Sequence, residues 1–286
     1  MTGVAIIVVL GYRLGAEPFV EGLRHTDAEA IAVALVITAG TTWCCARRWS
    51  LLARSLEVPV PLGAAYRACY RAQFLNATLP GGIAGDVHRG VRHGRDSRAL
   101  GRGLRSVVWD RVSGQVVQVG MVVLALPLLP GPLRPWALAL AVCVIALGVA
   151  FRSEIRTVLD APALWARVVL LSALAAGGHV IVFLVAARTA GVTAPLPELV
   201  PLALGVLLAS AIPLNVAGWG PREGAAAWVF ASAGLGAAAG LEVAVVYGVI
   251  SLVATFPGAL ALFSDRQSSR LPDPVPLEPV EVVRRA

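Results

Sequence analysis

Long uncharged stretches alternate with short basic stretches along most of this chain. The longest apolar runs cover residues 112–130, 168–187, 199–220 and 243–264. A helix that crosses the hydrocarbon core of a bilayer needs about 20 mainly apolar residues. The pattern therefore predicts an all-α fold, a polytopic integral membrane helix bundle.

The composition strengthens this prediction. The chain is 57% hydrophobic and 14% charged, with a mean hydropathy of +0.76, whereas a soluble domain carries about 25% charged residues. The longest polar stretches, 86–105 and 265–286, are too short to form a folded catalytic domain. We expect a single transmembrane domain over residues 1–264 and a basic, proline-rich cytoplasmic tail over 265–286. Any chemistry must then use membrane-embedded residues.

The positive charges orient the predicted helices. The net charge is +7, which in a membrane protein is typical of arginine-rich cytoplasmic loops and does not indicate a nucleic-acid partner. Arg47, Arg48 and Arg54 follow one apolar stretch, so that end is predicted to be cytoplasmic. Six more arginines mark segment 86–105 as cytoplasmic: Arg89, Arg92, Arg95, Arg98, Arg102 and Arg105. The expected location is the plasma membrane, with both termini in the cytoplasm.

Six full crossings are predicted, over residues 1–22, 28–46, 106–128, 135–151, 168–187 and 243–264. The first is unusual, because residues 1–12 are uncharged but too short to span the bilayer. Either this helix continues past Arg13 and Glu17, which are spaced to form an ion pair, or the start of the sequence is placed late.

One eleven-residue pattern occurs twice. Residues 79–89 read LPGGIAGDVHR and residues 212–222 read IPLNVAGWGPR, beginning 133 residues apart. Both fit [Leu/Ile]-Pro-x-x-[Ile/Val]-Ala-Gly-x-x-x-Arg. Paired segments broken by proline or glycine in the two halves of a membrane protein point to a binding or translocation site.

The charge pattern and the first motif together predict a re-entrant hairpin. Only one apolar stretch, 61–85, lies between two ends that are both predicted to be cytoplasmic. We therefore expect helix 62–77 to enter the membrane, the chain to turn over 79–85 and then to leave on the same side. Pro80, Gly81, Gly82 and Gly85 suit such a break.

A second hairpin is expected from the other face, with 199–215 entering, 216–222 turning and 224–240 returning. The order span, hairpin, span then occurs in both halves, about 28–128 and 168–264, with opposite orientation. This is the pattern of an inverted-topology repeat.

Polar residues near the two breaks are the candidate site. Arg89 and Arg222 are predicted at opposite ends of a shared polar cavity, where each guanidinium can hold a phosphate. Asp86, Asp110, Glu223 and Glu242 would balance the arginines or relay protons. The alternative is that these charges are salt bridges tying hairpins to spans. The candidate substrate-binding residues are Asn76, Gly81, Gly82, Gly85, Asp86, Arg89, Asp110, Arg111, Asn215, Gly218, Arg222 and Glu223.

No metal or cofactor is expected. The four cysteines fit no zinc or redox spacing, and the four histidines form no i,i+4 pair. We interpret His93 as a solvated loop residue and Trp49 as an interfacial anchor.

At these residues the chain resembles the lysylphosphatidylglycerol synthase transmembrane-region family, also called the flippase-like domain family. The family pattern is an Asn followed by Leu-Pro-Gly-Gly-x-Gly-Gly-Asp-x-x-Arg. In this chain Asn76 and residues 79–89 match it, with Ala84 in place of one glycine. The later acidic-Arg pair matches Asp110 and Arg111. The second family motif stands as Pro213, Gly218, Gly220, Arg222, Glu223 and Gly224, and Arg48-Trp49 also matches.

The resemblance implies translocation of a lipid between leaflets. The soluble aminoacyl-transfer domain of the bifunctional synthases has no counterpart in this sequence, so we expect only the translocation part. The implied partner is an anionic phospholipid or a polyprenyl-phosphate-linked lipid. Two alternatives remain open: an integral-membrane transferase acting on a lipid phosphate, and a non-catalytic membrane partner of a separate synthase or glycosyltransferase.

Overall fold

The described part of the chain is helical throughout. A computed structural model describes residues 2–150, 162–212, 214–215 and 218–268, and none of these lies in a strand. The helices are α1 Thr2–Leu14, α2 Glu17–His25, α3 Ala28–Ser55, α4 Leu62–Thr78, α5 Ala84–Asp96, α6 Leu100–Leu124, α7 Arg134–Ala150, α8 Pro162–Thr189, α9 Leu196–Ala209, α10 Pro221–Ser232, α11 Ala237–Ala254 and α12 Pro257–Ser268. The predicted all-α, polytopic helical membrane fold is confirmed.

Among the described residues, four segments are long and apolar enough to cross a membrane: Ala28–Ser55, Leu100–Leu124, Pro162–Thr189 and Ala237–Leu262. They contain or overlap four of the predicted crossings. The other two predicted crossings coincide with shorter apolar helices, Val4–Leu14 and Gly131–Ala146.

The third helix is longer than its apolar pattern indicates. It begins where the Asp27 carboxylate accepts a hydrogen bond from the Ala30 amide at 2.7 Å, a standard N-terminal cap. It continues past the predicted end at residue 46 because Arg48 and Trp49 are buried, at 6% and 1% exposure. Arg48 therefore faces the protein interior, whereas Arg47 is half-buried and Arg54 is exposed.

The predicted single helix over residues 1–22 is wrong. The chain breaks at Gly15, whose φ is +78°, and α2 starts at Glu17 in a new direction. Helix α2 packs on α11, where Gly22 lies against Val245 and His25 Nδ1 lies 2.6 Å from Glu242 Oε1. Glu242 is therefore tied to the N-terminal region.

Two helix breaks fall on the two repeated motifs. Helix α4 ends at Thr78 and α5 begins at Ala84, as the first motif predicts. The predicted polar stretch 86–105 is itself mostly helical, since it is shared between α5 and α6.

The second break separates α9 from α10. The predicted return helix over 224–240 is wrong, because α10 stops at Ser232 and Gly234 and Gly236 turn the chain with φ of +79° and +91°.

Both halves have the same order of elements: a 28-residue helix, a pair of short helices around a break, and a further long apolar segment. The first helices of the two halves, α3 and α8, run antiparallel. Leu52, near the C-terminal end of α3, shares a cluster with Val168, near the N-terminal end of α8. Thr41, earlier in α3, packs on Gly178, later in α8.

The main hydrophobic core lies among α8, α9, α10 and α11, with contributions from α3 and α6. At its centre the Phe183 ring lies 5.6 Å from Tyr247 and 6.4 Å from Phe230, centroid to centroid. The turn at Thr255 and Phe256 then leads into α12, which begins at Pro257 and packs on α4 through Gly258. Helix α12 reaches Ser268, and the predicted tail beyond it lies outside the described residues.

Several helix crossings depend on glycine. Gly103 of α6 is so close to Gly94 of α5 that a Cβ on Gly103 would overlap the Gly94 backbone. Small residues permit such backbone contact between membrane helices. The crossing sets the position of α5, and hence of its polar residues, relative to α6.

We expect Gly103→Ala to destabilise the protein, because the added methyl group must push α5 and α6 apart. Overpacking of this kind costs about 1–3 kcal/mol, which exceeds the roughly 1 kcal/mol that alanine gains over glycine in a helix. Gly120→Ala on the same helix is the control, since nothing lies within 4 Å of its added Cβ. The thermal unfolding midpoint in detergent, followed by tryptophan fluorescence, should fall for Gly103→Ala and stay level or rise for Gly120→Ala. Equal midpoints would contradict the close crossing.

Candidate functional site

The first break is built so that α5 folds back against α4. Gly81 and Gly82 have φ of +91° and +61°, a region that glycine enters without steric cost. Gly85 then lies directly against the Ala72 backbone, where any side chain would overlap. Asn76 of α4 caps the first turn of α5, because its Oδ1 accepts a hydrogen bond from the Gly85 amide at 2.8 Å. The motif therefore fixes the position of the next residue, Asp86.

Three arginines and two aspartates form one buried network beside this break. Asp110 of α6 accepts from Arg48 Nε at 2.7 Å and from Arg89 at 2.7 Å. Asp86 accepts from Arg89 Nε at 2.9 Å, from Asn76 Nδ2 at 2.7 Å and from Arg111 Nε at 2.8 Å. Helices α3, α5 and α6 are thereby joined through charged side chains, and α4 is joined to them through the Asn76 amide.

The surroundings of Arg89 hold its guanidinium in one place. The group lies 4.8 Å above the Trp49 ring, within the range of a cation–π interaction. Its Nη1 donates to the Cys69 sulfur at 3.4 Å, and the Trp49 indole donates to Ser106 Oγ at 3.0 Å. The side chain is only 5% exposed. Arg89 is therefore a central structural member of the network.

A cavity of about 230 Å³ opens beside the network, between α3, α4, α6 and α8. Charged and polar side chains dominate its lining, together with small residues: Cys45, Arg48, Cys69, Ala72, Gln73, Asn76, Asp86, Arg89, Asp110, Arg111, Gly114, Gln115, Gln118, Ser172, Ala175, Ala176 and His179. Removing several charges from water costs several kcal/mol per ion even when they are paired. Ionisable residues inside a membrane protein are for this reason usually part of a site or of a structural pair.

The second break also turns on glycines, but at other motif positions and in a different environment. Gly218 and Gly220 have φ of +79° and +123°, and the Gly220 amide donates to Glu223 Oε2 at 2.6 Å. Arg222 Nε donates to Glu223 Oε1 at 2.8 Å. Glu223 is fully buried. This ion pair therefore joins two adjacent residues in the first turn of α10.

Aromatic rings and a glycine enclose Arg222. Its guanidinium lies 5.4 Å from both the Trp219 ring and the Tyr247 ring. Gly248 of α11 provides the space, because a Cβ there would overlap the guanidinium. Arg222 does not line the cavity beside the first break.

The two breaks touch each other. The Gly81 amide donates to the Asn215 carbonyl oxygen at 2.9 Å, and the Asn215 side chain packs directly against Gly82. Gly218 also lies near Ala77, since a Cβ added at Gly218 would be 3.5 Å from the Ala77 carbonyl oxygen. Pro213, Val216 and Ala217 of the second motif lie outside the described residues.

The structure gathers most of the predicted site residues at one place. Asn76, Gly82, Gly85, Asp86, Arg89, Asp110 and Arg111 surround the network, and Gly81, Asn215 and Gly218 form the contact between the breaks. Arg222 and Glu223 lie apart from the cavity, so Arg89 and Arg222 are not at opposite ends of one described cavity. The ion pairs of the alternative interpretation, Asp110 with Arg89 and Arg222 with Glu223, are both present. Substrate binding by these residues stays a prediction.

Sequence reasoning missed several members of the site. Arg48 looked like a cytoplasmic loop charge and Trp49 like an interfacial anchor, yet both are buried at the network. His93 looked solvated, but it is buried on Trp49, with its Nε2 2.8 Å from the Val58 carbonyl oxygen. The adjacent Arg48-Trp49 pair, matching the family, was the signal that could have identified the first two. Within the described ranges, no group of three or more His, Cys, Asp and Glu residues is arranged to hold a metal ion.

Comparison with known proteins gives one match. A family model described as the lysylphosphatidylglycerol synthase TM region matches residues 1–258, which includes every residue of the network and of both breaks. No curated protein matches the chain at a significant level.

We expect Asp110→Asn to be strongly destabilising. The substitution leaves Arg48 and Arg89 facing a neutral amide in a buried position, and breaking a buried ion pair from one side costs about 3–5 kcal/mol. Asp96→Asn, at the exposed end of α5, is the matched control. Thermal unfolding of the purified proteins should show a large fall in midpoint for Asp110→Asn alone. If the two variants unfold together at the wild-type midpoint, Asp110 does not hold the helices as described.

Proposed function

Because the chain belongs to the lysylphosphatidylglycerol synthase TM region family, we propose that it moves a phospholipid or a lipid-linked precursor between the two leaflets of the plasma membrane. The lipid would be anionic, either a phospholipid or a polyprenyl-phosphate-linked lipid. Both termini would lie in the cytoplasm, as the arginine distribution favours.

The observation that carries this proposal is the polar cavity beside the first break. It provides a place for a charged headgroup within a helix bundle whose outer surface is apolar. A headgroup meets no favourable partner in the hydrocarbon core, so a path across the membrane must supply polar contacts. The arginines and amides of the cavity are such contacts.

The size of the cavity supports a path in which only the headgroup enters. Sites that enclose whole drug-sized ligands measure about 300–1,000 Å³, and this cavity, at about 230 Å³, is smaller. Acyl chains would remain in the surrounding lipid while the headgroup passes through the protein.

The contact between the two breaks supports a moving part at this position. Broken helices leave backbone groups that need partners inside the membrane, and here the Gly81 amide finds one in the Asn215 carbonyl group of the other half. This contact can separate where water or a headgroup replaces the Gly81 hydrogen bond. The two halves, each with its own break, would then tilt relative to each other as an inverted repeat. The antiparallel packing of α3 and α8 supports this arrangement.

A purified-protein transport experiment tests the proposal. The protein is reconstituted into vesicles that contain a fluorescent anionic phospholipid, and dithionite then bleaches the label in the outer leaflet only. Complete bleaching by the protein alone, against half bleaching in protein-free vesicles, would support translocation. Half bleaching that becomes complete only after addition of a synthase or glycosyltransferase would instead identify a partner protein.

We expect Ala176→Leu to slow translocation at least tenfold, because the larger side chain fills the cavity without removing any charge. Ala176 lines the cavity on α8. The neighbouring Gly177→Leu is the control, since an added Cβ there meets nothing within 4 Å, and its rate should stay within about twofold of wild type. Translocation by Ala176→Leu at the wild-type rate would show that the headgroup takes another path.

A further inference from the structure

Basic side chains from two helices meet on the surface of the first half. Arg67 of α4 and His88 and Arg92 of α5 are exposed, whereas Arg71 of α4 is 4% exposed. Arg71 lies within electrostatic range of both Arg67 and Arg92. Burial lowers the pKa of His88, and the nearby guanidinium groups of Arg71 and Arg92 lower it further. We call these four residues the cationic cluster, and the lining of the cavity beside the first break includes none of them.

The cationic cluster lies on α4 between two neighbouring helices, α5 and α12. Gly258 of α12 lies against the carbonyl group of Tyr70, and Gly85 of α5 lies against the backbone of Ala72. Successive residues of an α-helix are about 100° apart around its axis. Positions 67 and 71 therefore fall between the face of α4 that contacts α12 and the face that contacts α5.

Helix α12 runs antiparallel to α4. The Phe256 ring, just before α12, lies 6.1 Å from the Phe74 ring, and two residues later Gly258 lies against Tyr70. Later residues of α12 therefore pack toward earlier residues of α4. Between Gly258 and Ser268 the helix rises about 15 Å, which carries the chain past the level of the cationic cluster toward the beginning of α4.

The stretch of chain that follows α12 carries the opposite charge. Residues 271–283, which lie outside the described part of the chain, contain Asp273, Glu278 and Glu281 and no basic residue. Asp273 follows Ser268 by five residues, which can span up to about 17 Å. The three carboxylates are therefore within reach of the cationic cluster from the end of α12.

We infer that the acidic stretch 271–283 binds the cationic cluster of the same chain. Its carboxylates pair with the guanidinium groups of α4 and α5 in charge-assisted hydrogen bonds, which relieves the repulsion between like charges there. Bound in this way, the stretch joins the end of α12 to α5, the helix that carries Asp86 and Arg89. This docking does not depend on the proposed function.

A single introduced amine tests the docking in the full-length protein. The sequence contains no lysine, so Arg67→Lys keeps the positive charge and provides the one side-chain amine of the chain. A water-soluble carbodiimide then joins this amine to a carboxylate in contact with it, forming an amide, while the carbodiimide takes up the lost water as a urea. Peptide mass spectrometry identifies the partner. We expect an amide to Asp273, Glu278 or Glu281, called the tail product.

Arg102→Lys is the matched control. The native Arg102 guanidinium lies 2.6 Å from Glu57 Oε2 at the surface, so the introduced amine should couple to Glu57. We expect at least fivefold less tail product than with Arg67→Lys. If Arg102→Lys couples to Glu57 while Arg67→Lys gives no amide, or couples only to carboxylates outside 271–283, the inference is overturned.

A second substitution measures what another member of the cationic cluster contributes. Arg92→Gln, added to Arg67→Lys, should lower the yield of tail product about threefold, as the loss of one exposed ion pair suggests. Arg98→Gln, at an exposed position just after α5, should leave the yield unchanged. Equal yields for the two variants would show that the acidic stretch binds elsewhere.

Other occupants of the cationic cluster would give different results. Anionic membrane surfaces attract basic residues, so the coupling is repeated in nanodiscs of phosphatidylcholine with and without phosphatidylglycerol. Docking within the chain predicts yields within about twofold of each other. Loss of the tail product in the presence of phosphatidylglycerol would assign the cluster to the membrane, and a product of twice the monomer mass would assign it to a second copy; either result overturns the inference.

Discussion

The buried carboxylate of Asp110 is the group on which the arrangement of the first half depends. It accepts hydrogen bonds from Arg48 of α3 and Arg89 of α5, and Arg48 also donates to Ser172 of α8 at 2.9 Å. One side chain of α6 thus holds two other helices directly and a third, α8, through Arg48. Because unpaired charge is so costly away from water, the helices cannot shift without exposing or separating these groups. The cavity lies directly beside this fixed point, so its walls have a defined shape.

The two repeated motifs both break a helix, but their glycine turns fall at different motif positions and their chemistry differs. In each, glycines with positive φ turn the chain and an arginine follows in the next helix. In the first half the arginine lies among carboxylates from two helices beside an open cavity. In the second half Arg222 is paired with the adjacent Glu223 and enclosed by Trp219 and Tyr247. Under the proposed function the two breaks would act unequally: the first would supply the headgroup contacts, and the second would supply the backbone surface against which the first rests.

The polar network and the contact between the breaks are physically connected. Arg111 bonds Asp86 and also reaches the Gly82 carbonyl group, and Gly82 packs on Asn215 of the other half. A phosphate that attracts Arg111 would compete with both of these acceptors. Under the proposed function, headgroup binding at Arg111 would therefore act next to the contact between the two breaks.

Length, hydropathy and the spacing of Pro and Gly act locally, so the printed sequence was enough to predict the membrane class, the four long apolar spans and the position of both breaks. It also indicated most residues around the first break. The folded chain was needed to show that Arg48 and Trp49 are interior, that α10 stops at Ser232, and that Arg89 and Arg222 occupy separate environments. Nothing local distinguishes a buried arginine from a loop arginine, since the difference is a carboxylate 62 residues away in the chain. Ion pairing and close packing join residues distant in sequence, and therefore only the folded chain shows them.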